Sequence, residues 1–134
     1  MVLDVLAKRE PFYEESSQIW EMTEKGDLKG YLSATTVTDI FYILKKQLGI
    51  ERAYDILERL LMVFDVVSVS KVDIRKALKL GLKDFEDAVQ LICAKKIKAS
   101  FLITRNKKDF REAIGIEIID PHAFLTITQK ATMP

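Results

Sequence analysis

Short apolar segments alternate with longer amphipathic segments along this chain, and that alternation is what most constrains its fold. Residues 64–69 are rich in β-branched side chains and residues 101–104 are almost wholly apolar, so each segment predicts a strand. Residues 37–48 carry apolar side chains at positions i, i+3 and i+4, which is the spacing of one helix face. Strands that alternate with helices favour a mainly parallel sheet covered by helices. The sequence therefore predicts a three-layer α/β/α domain with a mainly parallel sheet of about four strands.

Capping residues and glycines predict where the helices begin and end. Thr35 or Thr36 can cap the helix that stops at Gly49, and Ser70 opens a helix that reaches about Leu80. The other predicted elements are helices over residues 14–25 and 51–63, a helix that starts at Asp84, strands over residues 30–34 and 117–120, and a helix start at Asp120-Pro121.

Length, charge and the lone cysteine restrict the domain count and the compartment. A chain of 134 residues fits one domain over 1–134 and is long enough to bury a core. Its 21 Lys and Arg residues against 20 Asp and Glu residues leave a net charge of +1, so any nucleic-acid contact must be local. Cys93 has no partner for an intrachain disulfide, which fits a reducing compartment. Because no signal peptide or membrane-spanning run is recognisable, the sequence predicts a cytoplasmic protein.

Acidic residues at one predicted helix start mark a candidate metal site. Asp84 and Asp87 share one face of the first turn, where the helix dipole favours negative charge. Ligands collect at the carboxyl ends of parallel strands, and the strand over residues 101–104 runs directly into a polar loop. Mg²⁺ takes oxygen ligands and keeps several waters, so two or three carboxylates suffice when substrate phosphate completes its shell. These residues predict a metal site for phosphodiester chemistry, and Phe85 between the two acids is predicted to lie in the core.

Three segments, taken in order, resemble a PIN domain, and they are most similar to the VapC-type toxins. They are residues 32–44, 84–88 and 101–110. The likeness extends over nearly the whole chain, and the order and spacing of the segments carry it. It implies a ribonuclease that depends on Mg²⁺ or Mn²⁺, commonly forms a homodimer, and is held inactive by a cognate antitoxin protein.

The resemblance assigns the site residue by residue. Asp39 takes the place of the family's second acid, usually Glu, and Asp87, followed by Ala88, takes the place of the third; both are predicted to be catalytic and to bind the metal. Asn106 takes the fourth ligand position through its amide oxygen. Each assignment has a plainer alternative, which is a solvated helix residue for Asp39, dipole compensation for Asp87 and a turn residue for Asn106.

Basic residues near the same loop are candidates for contacts with RNA. Arg105, Lys107 and Lys108 rim the loop, where they could neutralise an RNA backbone, and a solvated surface is the alternative. Asp84 is predicted to be the N-cap of its helix, and Asp109 to start the next short helix.

The resemblance also implies an element that precedes Met1 in the family. PIN domains begin with an apolar strand that ends in Asp-x-Asn, lies centrally in the sheet and carries the first catalytic acid. Asp4 aligns beyond that point and does not replace it. The leading expectation is a nuclease whose Asp-x-Asn strand is encoded upstream of Met1. A chain that lacks this strand is expected to be an impaired nuclease, with a gap between the strand at Tyr31 and the strand at Phe101. Direct pairing of these strands, another chain, or a strand over residues 124–128 could close the gap, although a helix is favoured for this tail.

Two other functions stay open at this point. The main alternative is a catalytically inactive PIN-like module that binds RNA or protein. A receiver-like or flavodoxin-like regulatory domain shares the α/β alternation, but the acidic pocket with a lysine, or the phosphate loop, that it needs is not recognisable. His122 is the one histidine, so a paired-histidine ribonuclease and a multi-histidine zinc site are unsupported.

Overall fold

The computed structural model describes residues 13–104 and 116–132. These residues form two compact units, one over residues 29–97 and the other from the residues on either side of that range. In chain order the elements are α1 (Tyr13–Glu24), β1 (Tyr31–Ser33), α2 (Ala34–Leu48), α3 (Ile50–Val63), β2 (Asp65–Val67), α4 (Lys71–Leu80), α5 (Phe85–Lys96), β3 (Phe101–Ile103), β4 (Glu117–Ile119) and α6 (Pro121–Thr132). The predicted α/β class is confirmed, while the single domain over 1–134 stays a prediction.

The strands pair in parallel, as the alternating pattern predicts. β1 pairs with β2, with Leu32 beside Val66, and β3 pairs with β4, with Leu102 beside Ile118. Within the described residues these pairs are two separate two-stranded sheets, one in each unit.

The first helix of the unit over residues 29–97 begins two or three residues earlier than predicted. Ser33 is still extended, with φ −72° and ψ 152°, and its Oγ accepts the backbone N–H of Thr36 at 3.1 Å. Ser33 is therefore the N-cap, and the prediction of Thr35 or Thr36 was wrong because β1 ends directly at the helix without a connecting turn. Gly49, at φ 91°, ends α2 as predicted.

The two helices that follow β2 have the predicted caps. Ser70 Oγ accepts the N–H of Asp73 at 3.3 Å while Asp73 Oδ2 accepts the N–H of Ser70 at 2.9 Å, a reciprocal capping box. Gly81 ends α4 in the left-handed conformation, with φ 64°. Asp84 Oδ1 then accepts the N–H of Asp87 at 3.1 Å and starts α5.

Helix α5 supplies much of the core of this unit. Cys93 is 3% exposed, as predicted for a small buried hydrophobe, and it packs in one cluster with Val67 of β2 and Ala77 of α4. The buried residues of α5 are Ala88, Val89, Leu91, Ile92, Cys93 and Ala94. Phe85 is 44% exposed, so its predicted core position was wrong. It is the first residue of α5, and the buried part of the helix starts one turn later.

The second unit packs α1 against α6 beside the β3–β4 pair. The rings of Phe101 and Phe124 meet edge to face with centroids 5.3 Å apart. Asp120 Oδ1 accepts the N–H of Ala123 at 2.7 Å and caps α6, so residues 124–128 are helical and do not supply the missing strand. The buried core residues are Ile19, Ile119, Phe124 and Leu125. No helix in the described part of the chain is both long and apolar enough to cross a membrane.

Candidate active site

Two carboxyl groups from different helices meet within the unit over residues 29–97. Asp39 of α2 and Glu86 of α5 share a side-chain hydrogen bond, and this contact is the largest cause of a pKa of about 7 for Glu86. Partial burial raises the pKa further, as do the negative charges of Asp39, Asp84 and Asp87. Glu86 is therefore about half protonated near pH 7, and in its protonated form its O–H donates to the Asp39 carboxylate.

A second polar contact between the same helices lies about one turn away. Gln90 Nε2 donates to Thr36 Oγ1 at 3.4 Å, and Thr36 Oγ1 lies 2.8 Å from the hydroxyl Oγ of Ser33. Thr36 precedes Asp39 by three residues while Gln90 follows Glu86 by four, so α2 and α5 run antiparallel where they touch. The two contacts together fix which faces of the helices oppose each other.

Asp87 and Asp84 surround Glu86 on α5. The Oδ2 atom of Asp87 is buried, and its backbone N–H is bound by the Asp84 cap. Both carboxylates act on Glu86 as neighbouring negative charges that raise its pKa. The first turn of α5 thus concentrates acidic groups at the positive end of the helix dipole, beside the Asp39 carboxylate of α2.

Comparison with known proteins identifies the family. A protein-family model described as PIN domain matches residues 1–108. The chain belongs to the PIN domain family. It is also 23% identical over 129 residues to a protein named Ribonuclease VapC1 from Aquifex aeolicus (strain VF5), in an alignment that covers 92% of this chain and 88% of that protein. The resemblance to PIN domains of the VapC type that the sequence shows is confirmed, and the receiver-like or flavodoxin-like reading is set aside.

The structure of this PIN domain brings together two of the residues that the sequence singles out. Asp39 and Asp87 lie on the facing helices α2 and α5, and Glu86, which was not among the predicted site residues, makes the direct contact with Asp39. The sequence shows three acids within one turn of α5 but contains no signal that selects Glu86 from them. The predicted residues Asp4, Arg105, Asn106, Lys107, Lys108 and Asp109 lie outside the described residues.

The donor set fits a hard divalent cation. Within the described ranges no three Asp, Glu, His or Cys side chains converge closely enough to hold a metal ion as a group. A Mg²⁺ ion nevertheless needs only one or two carboxylates when water and phosphate oxygens complete its coordination. The paired carboxyl groups of Asp39 and Glu86 meet that requirement, and the raised pKa of Glu86, caused first by its hydrogen bond to Asp39, indicates that this position favours positive charge.

Proposed function

We propose that this PIN domain is a metal-dependent endoribonuclease and the toxin component of a toxin–antitoxin pair. Membership of the PIN family and the likeness to a protein named as a ribonuclease support the class of reaction. The observation that carries the proposal is the contact between Asp39 and Glu86, with Asp84 and Asp87 beside it. A carboxyl group whose pKa is strongly raised by a carboxylate of another helix is typical of a functional site.

Asp39, Glu86 and Asp87 would hold the metal through carboxylate oxygens, and Asn106 is the further predicted ligand. Bound Mg²⁺ or Mn²⁺ supplies charge neutralisation at the phosphate and a water of lowered pKa. Glu86 would bind the metal only in its ionised form, because a protonated carboxyl is a weak ligand. Arg105, Lys107 and Lys108 are proposed to contact the RNA backbone.

The same proposal includes three partners. RNA is the substrate, an antitoxin protein is the inhibitor, and a second copy of the chain forms a homodimer. A second candidate function, a catalytically inactive PIN-like module that binds RNA or protein, is favoured by one observation, which is that the described acids do not form a three-carboxylate group.

Cleavage of a mixed RNA pool tests the proposal. The full chain is incubated with Mg²⁺, with Mn²⁺ or with a chelator, beside the variants Asp39→Asn and Asp87→Asn. The matched control is Asp55→Asn, which makes the same change at an exposed position of α3. We expect metal-dependent cleavage that falls about 100-fold in both site variants, as for the loss of one catalytic group, and that stays unchanged in the control.

The outcomes separate the two candidate functions. Cleavage that survives in Asp39→Asn and Asp87→Asn would refute the proposed site. RNA binding without cleavage under any metal condition would favour the inactive module. Metal affinity provides a second readout, since Mn²⁺ binding measured by calorimetry should weaken in the site variants and stay unchanged in Asp55→Asn.

A further inference from the structure

We propose that the solvent face of α4 binds the RNA backbone and directs it to the acids at the start of α5. The face carries Lys71, Arg75 and Lys79, which we call the α4 basic row. This inference rests on the proposed function, because it assigns a path to the substrate of that site.

The α4 basic row is a straight line of cations. Its members are spaced at i, i+4 and i+8, so they lie on one face and follow one another at about 6 Å along the helix axis. All three side chains are exposed. The opposite face of α4 is buried through Asp73 and Ala77, which are 5% and 1% exposed.

Lys79 lies in the last turn of α4, where the helix dipole favours a cation, but the stability of α4 does not explain the rest of the row. Lys71 is the first residue of the helix, where the helix dipole disfavours a cation. Like charges at i and i+4 repel each other, and no ion pair within the described ranges includes a member of the row. Asp73 is the one acid of α4, and its carboxylate accepts a hydrogen bond from Lys96 Nζ at 3.0 Å.

The row leads towards the candidate active site. α4 and α5 form an antiparallel hairpin, since Lys96 at the end of α5 reaches Asp73 at the start of α4. The other ends are joined by residues 81–84. Lys79, near the end of α4, therefore lies at the end of the hairpin that carries Asp84 and Glu86, and exposed Lys83 continues the positive charge along the connection.

The single sign of the α4 basic row favours a phosphate backbone as its partner, although Val72 and Leu78 are also exposed beside the row. The exposed charges of α3 mix both signs, as in Glu51, Arg52 and Asp55, whereas the α4 basic row has one sign in a chain whose net charge is +1. A line of cations neutralises successive phosphates of a strand. Its position next to carboxylates that would act on a phosphodiester favours RNA over an acidic protein segment.

Salt-dependent RNA binding tests this inference separately from cleavage. The probe is a fluorescent single-stranded RNA of roughly 20 nucleotides, titrated with the full chain in chelator by anisotropy between about 50 and 200 mM salt. The test variant replaces Lys71, Arg75 and Lys79 with Gln. The control replaces Lys45, Lys46 and Arg52 with Gln, which removes the same charge from exposed positions of α2 and α3.

We expect the row variant to bind RNA roughly tenfold more weakly and to lose about 2 from the slope of log affinity against log salt, which corresponds to three lost phosphate contacts. The control should keep the wild-type slope. The charge-preserving variant Lys71→Arg/Lys79→Arg should bind like the wild type. If the triple variant does not fold by circular dichroism, Arg75→Gln is used, with an expected loss of about 0.7 from the slope.

Each other outcome overturns the inference. An equal loss in the control means that bulk charge, rather than the row, binds RNA. If the wild type cleaves RNA and the row variant binds RNA as tightly as the wild type, the row does not bind RNA and the proposed function stands. If the wild type neither binds nor cleaves RNA, both the role of the row and the proposed function are refuted. Row-dependent binding of poly-glutamate but not of RNA would make the face a site for an acidic protein.

Discussion

Replacing Glu86 with Gln should remove a pH-dependent loss of stability that the wild type shows between pH 5 and pH 8. Glu86 shares a hydrogen bond with Asp39 and faces the charges of Asp84 and Asp87. These groups raise its pKa from 4.5 to about 7 in the folded protein. The amide introduced by Glu86→Gln would donate an N–H to the Asp39 carboxylate at every pH in this range, so the variant keeps the contact without the titration.

The sign and size follow from the pKa. Because the folded pKa lies above the unfolded one, the folded state keeps a proton that the unfolded state loses, so the contribution is complete below pH 4.5 and is lost as the pH rises through 7. Each pKa unit is worth about 1.4 kcal/mol, so the rise from 4.5 to about 7 sets an upper limit of about 3.5 kcal/mol. Glu86 is half-buried, and solvent screening reduces the expected loss to about 1–2 kcal/mol.

Urea unfolding followed by far-ultraviolet circular dichroism measures this effect. We expect the free energy of unfolding of the wild type to fall by about 1–2 kcal/mol between pH 5 and pH 8, and the Glu86→Gln variant to lose that fall and to exceed the wild type at pH 8 by the same amount. Glu58→Gln, at an exposed position of α3, is the control and should keep the wild-type pH dependence. The reasoning is wrong if Glu86→Gln retains the full pH dependence or if the wild type has none.

Two further predictions concern the packing around α5. Lys96→Met should lower the melting temperature at pH 7, because buried Asp73 loses its cation. The hydrogen bond from the Ser70 backbone N–H, and after it the contact with Lys96, lowers the pKa of Asp73 to about 2. The stability that these contacts add is therefore present above pH 3.8 and lost as the pH falls through 2. An acid titration of both proteins should show a smaller effect of the variant near pH 2, and an equal effect at both pH values would contradict this. Burial raises the pKa of the Cys93 thiol, so Ellman's reagent should react with it at least about 100-fold faster in denaturant than in buffer, and fast reaction in buffer would place Cys93 outside the core.

Local sequence patterns predicted the elements well, because caps and helix faces depend on residues within one or two turns. Ser70 and Asp84 cap the helices that they were predicted to start, and Gly49 ends α2. The errors lie where a neighbouring element decides which residue starts a helix. Ser33, and not Thr35 or Thr36, is the N-cap because β1 runs directly into the helix.

The position of Phe85 shows the same limit for burial. Phenylalanine is usually buried, which is why Phe85 was predicted to lie in the core. Its actual burial depends on where the helix begins to pack against its neighbours. Only the packing of α5 decided that Ala88, rather than Phe85, is the first buried residue of the helix.

The sequence by itself determined the α/β class, the likeness to PIN domains and the presence of acids on α2 and α5. Each of these depends on residue type, order or local periodicity. Only the tertiary structure decided that Glu86, rather than Asp87, makes the direct contact with Asp39. The reason is geometric, because successive residues of a helix point about 100° apart, and the choice among three acids in one turn depends on where α2 crosses α5. That crossing is set by side-chain packing between segments distant in the chain, which periodicity within either helix does not encode.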